Sequence, residues 1–478
     1  MTSMADLATP TVAAMVPADW HVTLCDERVQ PVDLDTPARF VGLTGKVSQR
    51  DRMVELAAAF RARGKVVLTG GPYASLNPDD MRPHADVLVR GEMEEIAAEL
   101  FADLAAGRPK PEYVGTKPDL RLSPVPRWDL YPRGLAISAQ VQTSRGCPFD
   151  CEFCDVIQYL GRKQRWKEPD QVVGELDLLQ RLGYRSVFFA DDNLTVMRRR
   201  ARALLERLVA WQAEQPQRMT FSTQVSVDIA RDSEMLQLLR AADFDNVFIG
   251  IETPNEASLA ETRKRQNMKV DLAAEVGRIV ETGTMVVAGL MVGFDNDGPD
   301  IFARQAAFVG TLPAPLVMTG LLVAPAATPL YTRIEAEGRL IDMEGLGAGR
   351  LAQTNIRPLR MTTPALNAGM TWLLNKVYAP LAVARRIEHF VERCGSRGPA
   401  VAAPLFQGGL ALLAQRLASH GAEDIHLLRT MEAAVAHRPD LMGPITNTLV
   451  YYCQARHTLA HQGLWQPALG REDAPLAA

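Results

Sequence analysis

The sequence predicts an α/β fold in three parts: a Rossmann-like N-terminal domain, a partial (β/α)6 barrel and a mainly helical C-terminal domain. Three observations carry this. Short β-type runs alternate with amphipathic helices from Trp20 onward. A proline-rich stretch interrupts the alternation over residues 108–135, and from about Gly338 the strand signal fades into long Ala/Leu-rich helical patterns. A chain of 478 residues exceeds one ordinary core, so several domains are expected. The division reads as 1–108 for the N-terminal domain, 109–135 for a linker, 136–337 for the barrel and 338–478 for the helical part.

In the first part, Trp20–Leu24 and Phe40–Thr44 read as strands, Asp51–Arg63 as a helix and Val66–Thr69 as the next strand, a βαβ pattern. Gly70-Gly71-Pro72 follows as a turn. Val87–Val89 then leads to Gly91-Glu92-Met93-Glu94, which reads as the opening of a helix ending near Gly107. Gly-rich strand ends of this kind are where open α/β sheets bind ligands. Pro109, Pro111, Pro118, Pro124, Pro126 and Pro132 then forbid continuous helix and mark a boundary. Six further strands are expected: Ile137–Gln142, Ser186–Ala190, Thr220–Val225, Asn246–Ile251, Met285–Val292 and Leu316–Val323. The helices between them carry start and stop signals. Asp170 precedes the apolar series Val172, Val173, Leu176, Leu179 and Leu182, and Gly183 ends it. Parallel strands joined by helices wind into either an open sheet or a barrel, and six such units suggest a partial barrel.

Composition limits the function. The 47% hydrophobic content suffices for buried cores, and 52 Lys plus Arg against 56 Asp plus Glu argues against a general nucleic-acid binder. A small-molecule substrate is expected instead. No run of about 18 apolar residues occurs, and Met1–Pro17 lacks the basic and apolar regions of a signal peptide, so a cytoplasmic protein without a transmembrane segment is expected. The six cysteines are unevenly spread, unlike a disulfide framework, and reduced thiols are expected.

Three of those cysteines stand within eight positions, Cys147-Pro148-Phe149-Asp150-Cys151-Glu152-Phe153-Cys154, on a loop directly after the first barrel strand. Iron–sulfur clusters need thiolate ligands, and three of them on a four-iron cubane leave one iron open to bind something else. A closed zinc site would need a fourth Cys or His, and none lies nearby. Chance clustering of buried thiols is the other bland reading, but Ser144-Arg145-Gly146 and Pro148 describe an exposed turn.

Further polar groups end the following strands, at the barrel end where parallel α/β barrels carry chemistry: Asp191, Asp192 and Asn193, then Ser222 and Gln224, then Glu252 with Thr253. Asp192 or Asn193 could equally cap the next helix. Gly289 and Gly293, inside or just after a strand, mark close backbone approach or simply tight packing. The loop from Ala324 to Leu330 is apolar.

The spacing CxxxCxxC, with Phe153 just before the last cysteine, resembles the motif of the radical S-adenosylmethionine (SAM) superfamily over about residues 136–335. That resemblance implies a [4Fe–4S] cluster on Cys147, Cys151 and Cys154, binding of SAM at the open iron, an electron donor such as a flavodoxin or ferredoxin, and SAM homolysis to a 5′-deoxyadenosyl radical. It also implies that Asp191, Asp192, Asn193, Ser222, Gln224, Glu252 and Gly289 line SAM, and that the Ala324–Leu330 loop lies over adenine.

The order of the whole chain is similar to the subgroup in which a cobalamin (B12)-binding domain precedes the barrel. Asp19-Trp20 leading to Leu24-Cys25-Asp26, Gly70-Gly71-Pro72, Gly91-Glu92 and Pro126-Arg127-Trp128-Asp129-Leu130 carry that likeness. The tail, with Thr354–Pro358 and Tyr378-Ala379-Pro380, resembles the domain attached to hopanoid C-2 methylases. Against that pattern the first strand of the N-terminal domain is missing and DxHxxG is absent, His21 and His84 standing in unrelated contexts. The resemblance therefore leaves cobalamin open. It implies radical C-methylation of a small molecule or lipid. Two alternatives remain: cobalamin-independent transfer of a 3-amino-3-carboxypropyl group, as in arsenic-containing amino acid biosynthesis, and a non-catalytic cobalamin or Fe–S sensor.

Overall fold

The computed structural model describes residues 2–341, 351–397 and 407–474. Its first strand, β1 (Thr2–Met4), leaves the N-terminal region and joins the barrel sheet. β2 (Phe40–Thr44), β3 (Val66–Gly70), β4 (Val87–Arg90) and β5 (Glu112–Val114) form a separate parallel sheet in that order. Successive side chains of a strand point to opposite faces. Val87 and Val89 accordingly pack with Leu100, Phe101 and Leu104 on one side of β4, while Leu88 meets Met53, Ala74 and Met81 on the other.

The second sheet is all-parallel and curls into a half-barrel. It contains β6 (Ala136–Val141), β9 (Ser186–Phe189), β10 (Thr220–Val225), β11 (Phe244–Glu252), β12 (Met285–Val292) and β13 (Leu316–Leu321) in chain order, with β1 on the outer edge of β6. A small antiparallel hairpin, β7 (Ser144–Arg145) and β8 (Arg165–Trp166), brackets the cysteine loop between β6 and β9. Crossover helices such as Pro169–Arg181 bury Leu176 and Leu179 against Val187 and Phe189, and the rings of Phe189, Phe221 and Phe244 meet within 5.5 Å. The other face of each strand is concave and partly open. On β10, Phe221, Thr223 and Val225 are buried while Thr220, Ser222 and Gln224 are not. All six expected barrel strands are present, with ends moved by a residue or two.

Beyond the barrel lie the helices Pro329–Ala336, Thr363–Val377, Pro380–Arg393, Gln407–Ala418, Ala422–His437 and Met442–His461. They add Trp372, Leu373, Ile387, Phe390 and Leu427 to the barrel's own core.

Four expectations in the N-terminal region need correction. Trp20–Leu24 forms no strand. β2 is an edge strand whose outer side carries no ladder partner, so the segment docks by side chains instead, with the Trp20 ring stacked on Phe40 at 5.3 Å. Residues 91–94 are loop, because Gly91 adopts φ +75° and breaks the path into a helix that starts only at Ala97. Glu112–Val114, within the expected linker, pairs with Leu88–Arg90 and belongs to the N-terminal sheet. Thr2–Met4, assigned to the N-terminal domain, pairs with β6.

Candidate functional site

The cysteine loop leaves the C-terminal end of β6 through a turn that only glycine fits. Gly146 has φ +95°, and a Cβ there would stand 2.8 Å from both Gly161 O and Lys163 O. The carboxylates that end β9 clamp this turn. Asp191, wholly buried, accepts from the Thr143 hydroxyl at 2.9 Å, from the Ser144 hydroxyl at 2.6 Å and from the Ser144 amide. Asp192 accepts from the Gly146 amide at 2.9 Å. Farther along, the Glu152 amide donates to Thr262 O at 3.0 Å, and the Glu152 carboxylate takes Arg333 at 2.8 Å. The Ala324–Leu330 loop reaches the same turn, Leu330 N donating to Glu152 O at 3.2 Å.

Burial sets the electrostatics. It pushes the Cys147 and Cys154 thiols up to about 11, and the Asp191 and Asp192 carboxyls up to about 6 and about 7 despite their donors. Two cations stand close by, Arg145 near Asp192 and Lys264 near the thiols. Lys264 is buried, which alone would lower its pKa, but Glu252 at 2.6 Å and the nearby Cys151 and Cys154 outweigh burial and raise it. Glu252 itself adopts φ +67°, rare for a side-chain-bearing residue, at the point where the β11–β12 register shifts. The Gln266 amide reaches Cys151 Sγ at 3.8 Å.

The donor chemistry fits a cluster. The three thiols are free of disulfides, and they share one turn. Among the described residues no group of three or more His, Cys, Asp or Glu side chains converges on a single ion. Three soft thiolates on one loop are the donor set that an iron–sulfur cluster takes.

The remaining expected residues fall into two sets. Ser222 and Gln224 lie on the concave side of β10, and among the described residues their side chains have no hydrogen-bond partner. Asn193 donates to Ser226 at 2.5 Å, and its side-chain oxygen is buried without a partner. The next helix begins at Arg198, so neither Asp192 nor Asn193 caps it. Gly289 gives way to a ring rather than to a ligand, since a Cβ there would stand 2.5 Å from Phe248 Cζ. Asp191 is engaged by the loop it supports. Sequence reading missed Lys264, Gln266, Arg145 and Arg333. Arg263-Lys264-Arg265 looks like a solvated basic run, and only the fold turns its middle residue inward.

A large cavity adjoins the site, about 1740 Å³ in volume. Both sheets point C-terminal strand ends into it: Thr44, Gly70 and Glu92 from one, Gln142, Arg145 and Ala190 from the other. This is the edge at which open α/β sheets take ligands.

A parallel half-barrel with a three-thiol loop at its C-terminal mouth defines the radical SAM class of enzymes. Residues 141–300 match the Radical SAM superfamily, and residues 328–450 match a domain of unknown function, DUF4070. An uncharacterised methyltransferase of Synechocystis sp. is 39% identical over 74% of this chain and 66% of its own length. The hopanoid C-2 methylase of Rhodopseudomonas palustris is 35% identical over 69% and 64% respectively, so the chain spans just under two thirds of these relatives. The cobalamin-dependent SAM radical enzyme OxsB, in its aqua-cobalamin form, shares the fold at 16% identity, with a TM-score of 0.61 over 98% of this chain and 82% of that one. No helix among the described residues is long and apolar enough to cross a membrane.

Proposed function

We propose that this enzyme cleaves SAM reductively and methylates an unactivated carbon of an apolar small molecule or lipid. The observation that carries the reading is the clamped turn bearing Cys147, Cys151 and Cys154 at the mouth of the half-barrel. Cys147, Cys151 and Cys154 would hold a [4Fe–4S] cluster, which would supply the electron for SAM cleavage after reduction by a flavodoxin- or ferredoxin-type donor. Around it the chain's own residues orient SAM. Ser222 and Gln224 offer unpaired polar groups, Lys264 offers a cation next to the loop, and Asp192, Asn193 and Glu252 edge the same mouth. Asp191 and Gly289 are reassigned: the first holds the loop and the second seats Phe248.

The concave face supports the substrate class. It runs from Gln140, Gln142, Ser222 and Gln224 on one side to Phe248, Met291 and Met318 on the other. Met318 is 52% exposed in mid-strand, and a Cβ on neighbouring Gly320 would meet nothing within 4 Å. Apolar surface left open beside a reaction centre suits an apolar ligand. The relatives named as methyltransferases favour methyl transfer, and the cavity between the sheets exceeds the roughly 300–1,000 Å³ of an ordinary small-molecule site, which favours a cobalamin-sized second cofactor.

The test is anaerobic reconstitution with and without cobalamin, reduction with SAM present, and mass spectrometry of the nucleosides, with Cys147→Ala as control. 5′-Deoxyadenosine, joined by S-adenosylhomocysteine only when cobalamin is present, is the expected result. Methylthioadenosine would replace methylation with aminocarboxypropyl transfer. An intact cluster that cleaves no SAM would sink the catalytic reading.

A further inference from the structure

Arg145 stands two residues before Cys147, yet its guanidinium is committed to the N-terminal sheet. Nη1 lies 2.6 Å from Glu92 Oε2 and 2.8 Å from Glu94 Oε1, and Nε donates to Gln142 Oε1 at 2.8 Å. Arg165, opposite Arg145 in the β7–β8 hairpin, gives Nη2 to Glu92 Oε1 at 2.6 Å and Nη1 to Glu92 Oε2 at 2.8 Å. The four side chains are between 1% and 11% exposed. Two carboxylates from the loop after β4 thus meet two guanidiniums of the β7–β8 hairpin that brackets the cysteine loop, with charge balanced at the wall of the cavity.

The backbone makes the carboxylates a fixed reference. Glu92 follows Gly91 at the end of β4, where the chain turns at φ +75° with Gly115 O only 2.5 Å from any added Cβ. A buried ion pair is costly to break from either side, because the remaining charge stays desolvated and unpaired. Arg145 therefore cannot drift from Glu92, and the peptide that follows it enters Gly146 and Cys147. Asp191 and Asp192 hold this turn from within the barrel. Arg145 holds it from outside.

We infer that Glu92 and Glu94 are positioning residues for the cysteine loop: through Arg145, the N-terminal domain sets where Cys147 is presented. The bland alternative is that the ion pairs only glue the two sheets together. The two differ in where a lesion is felt, since glue loosens both domains while positioning loosens the turn.

The inference rests on the proposed cluster in its second readout only. The first is hydrogen exchange by mass spectrometry on the full-length, metal-free chain. Glu92→Gln should speed exchange several-fold in peptides covering residues 144–148 and leave β10–β12 unchanged, with Arg145→Lys keeping most of the protection. If Glu92→Gln does not fold, Glu94→Gln reads the same contact more gently. In the reconstituted protein, the same variants should lose iron to a chelator several-fold faster and alter the change in the cluster's paramagnetic resonance spectrum when SAM is added. Unchanged exchange at 144–148, or protection lost evenly across both sheets, overturns the inference. A wild-type chain that assembles no cluster would instead count against the proposed function, and the exchange data would still decide the positioning.

Discussion

Asp191 shows how one buried side chain can matter to a site without facing its ligand. Its carboxylate accepts from two hydroxyls and an amide of Thr143 and Ser144, all supplied by the strand end that launches the cysteine loop. All three bonds converge on Oδ1, while Oδ2 takes only the Thr143 amide at 3.4 Å, so losing the carboxylate leaves three buried donors without an acceptor. Asp191→Ala should therefore cost about 2–3 kcal/mol in urea unfolding of the metal-free chain, and iron bound per chain after reconstitution should fall in parallel. Stability unchanged within error, with full iron content, would show that the clamp does not hold the loop. The sequence made Asp191 conspicuous as one of two carboxylates at a strand end. It could not tell a SAM ligand from a support, because that depends on Thr143 and Ser144, 48 and 47 residues away along the chain.

At the scale of elements, two glycines separate function from stability. Gly146 combines φ +95° with carbonyls 2.8 Å from a hypothetical Cβ, so Gly146→Ala should displace the turn at a cost of about 1–3 kcal/mol and lower iron retention more than it lowers the melting temperature. Gly369, on the helix Thr363–Val377, lies against Phe302 of the helix Ile301–Thr311, where a Cβ would come within 2.1 Å of the ring. Gly369→Ala should cost about 1–3 kcal/mol by overpacking and lower the melting temperature, with iron content unaffected and partial recovery on adding Phe302→Leu. Reversed outcomes would mean that the helical region, rather than the turn, sets the cluster site. The barrel strands were readable because each carries an apolar set facing its helices. Trp20–Leu24 carries the same β-type composition, but a strand also needs a ladder partner, and composition does not report one.

The whole molecule is a half-barrel closed on two sides by other parts of the chain. The helical region is bound to the barrel through the Tyr378 hydroxyl on Val317 O at 2.6 Å, through Arg397 on Asp245 and Gly283 O, and through the shared core. A chain ending at residue 337 would expose Leu366, Met370 and Trp372 contacts on the barrel side, and it should accumulate in the insoluble fraction. Soluble, monomeric expression of that fragment with an intact cluster would contradict this packing. On the open concave face, Gly320→Phe should fill space beside Met318 and lower product formation from the true substrate at least tenfold, while uncoupled 5′-deoxyadenosine formation continues. Equal loss of both products would place the added ring against SAM instead.

The sequence alone pointed to a thiolate-bound cluster through three cysteines after a strand, and to the class of chemistry through the resemblance of their spacing to the radical SAM motif, while local periodicity set the alternation of strand and helix. Only the tertiary structure decided which polar residues support the loop and which face the opening. It also decided that Lys264 is buried beside the thiols, that β5 closes the N-terminal sheet, and that Glu92 reaches Arg145 from another domain. Those outcomes rest on contacts between residues tens of positions apart, whose desolvation and pairing exist only once the chain has brought them together.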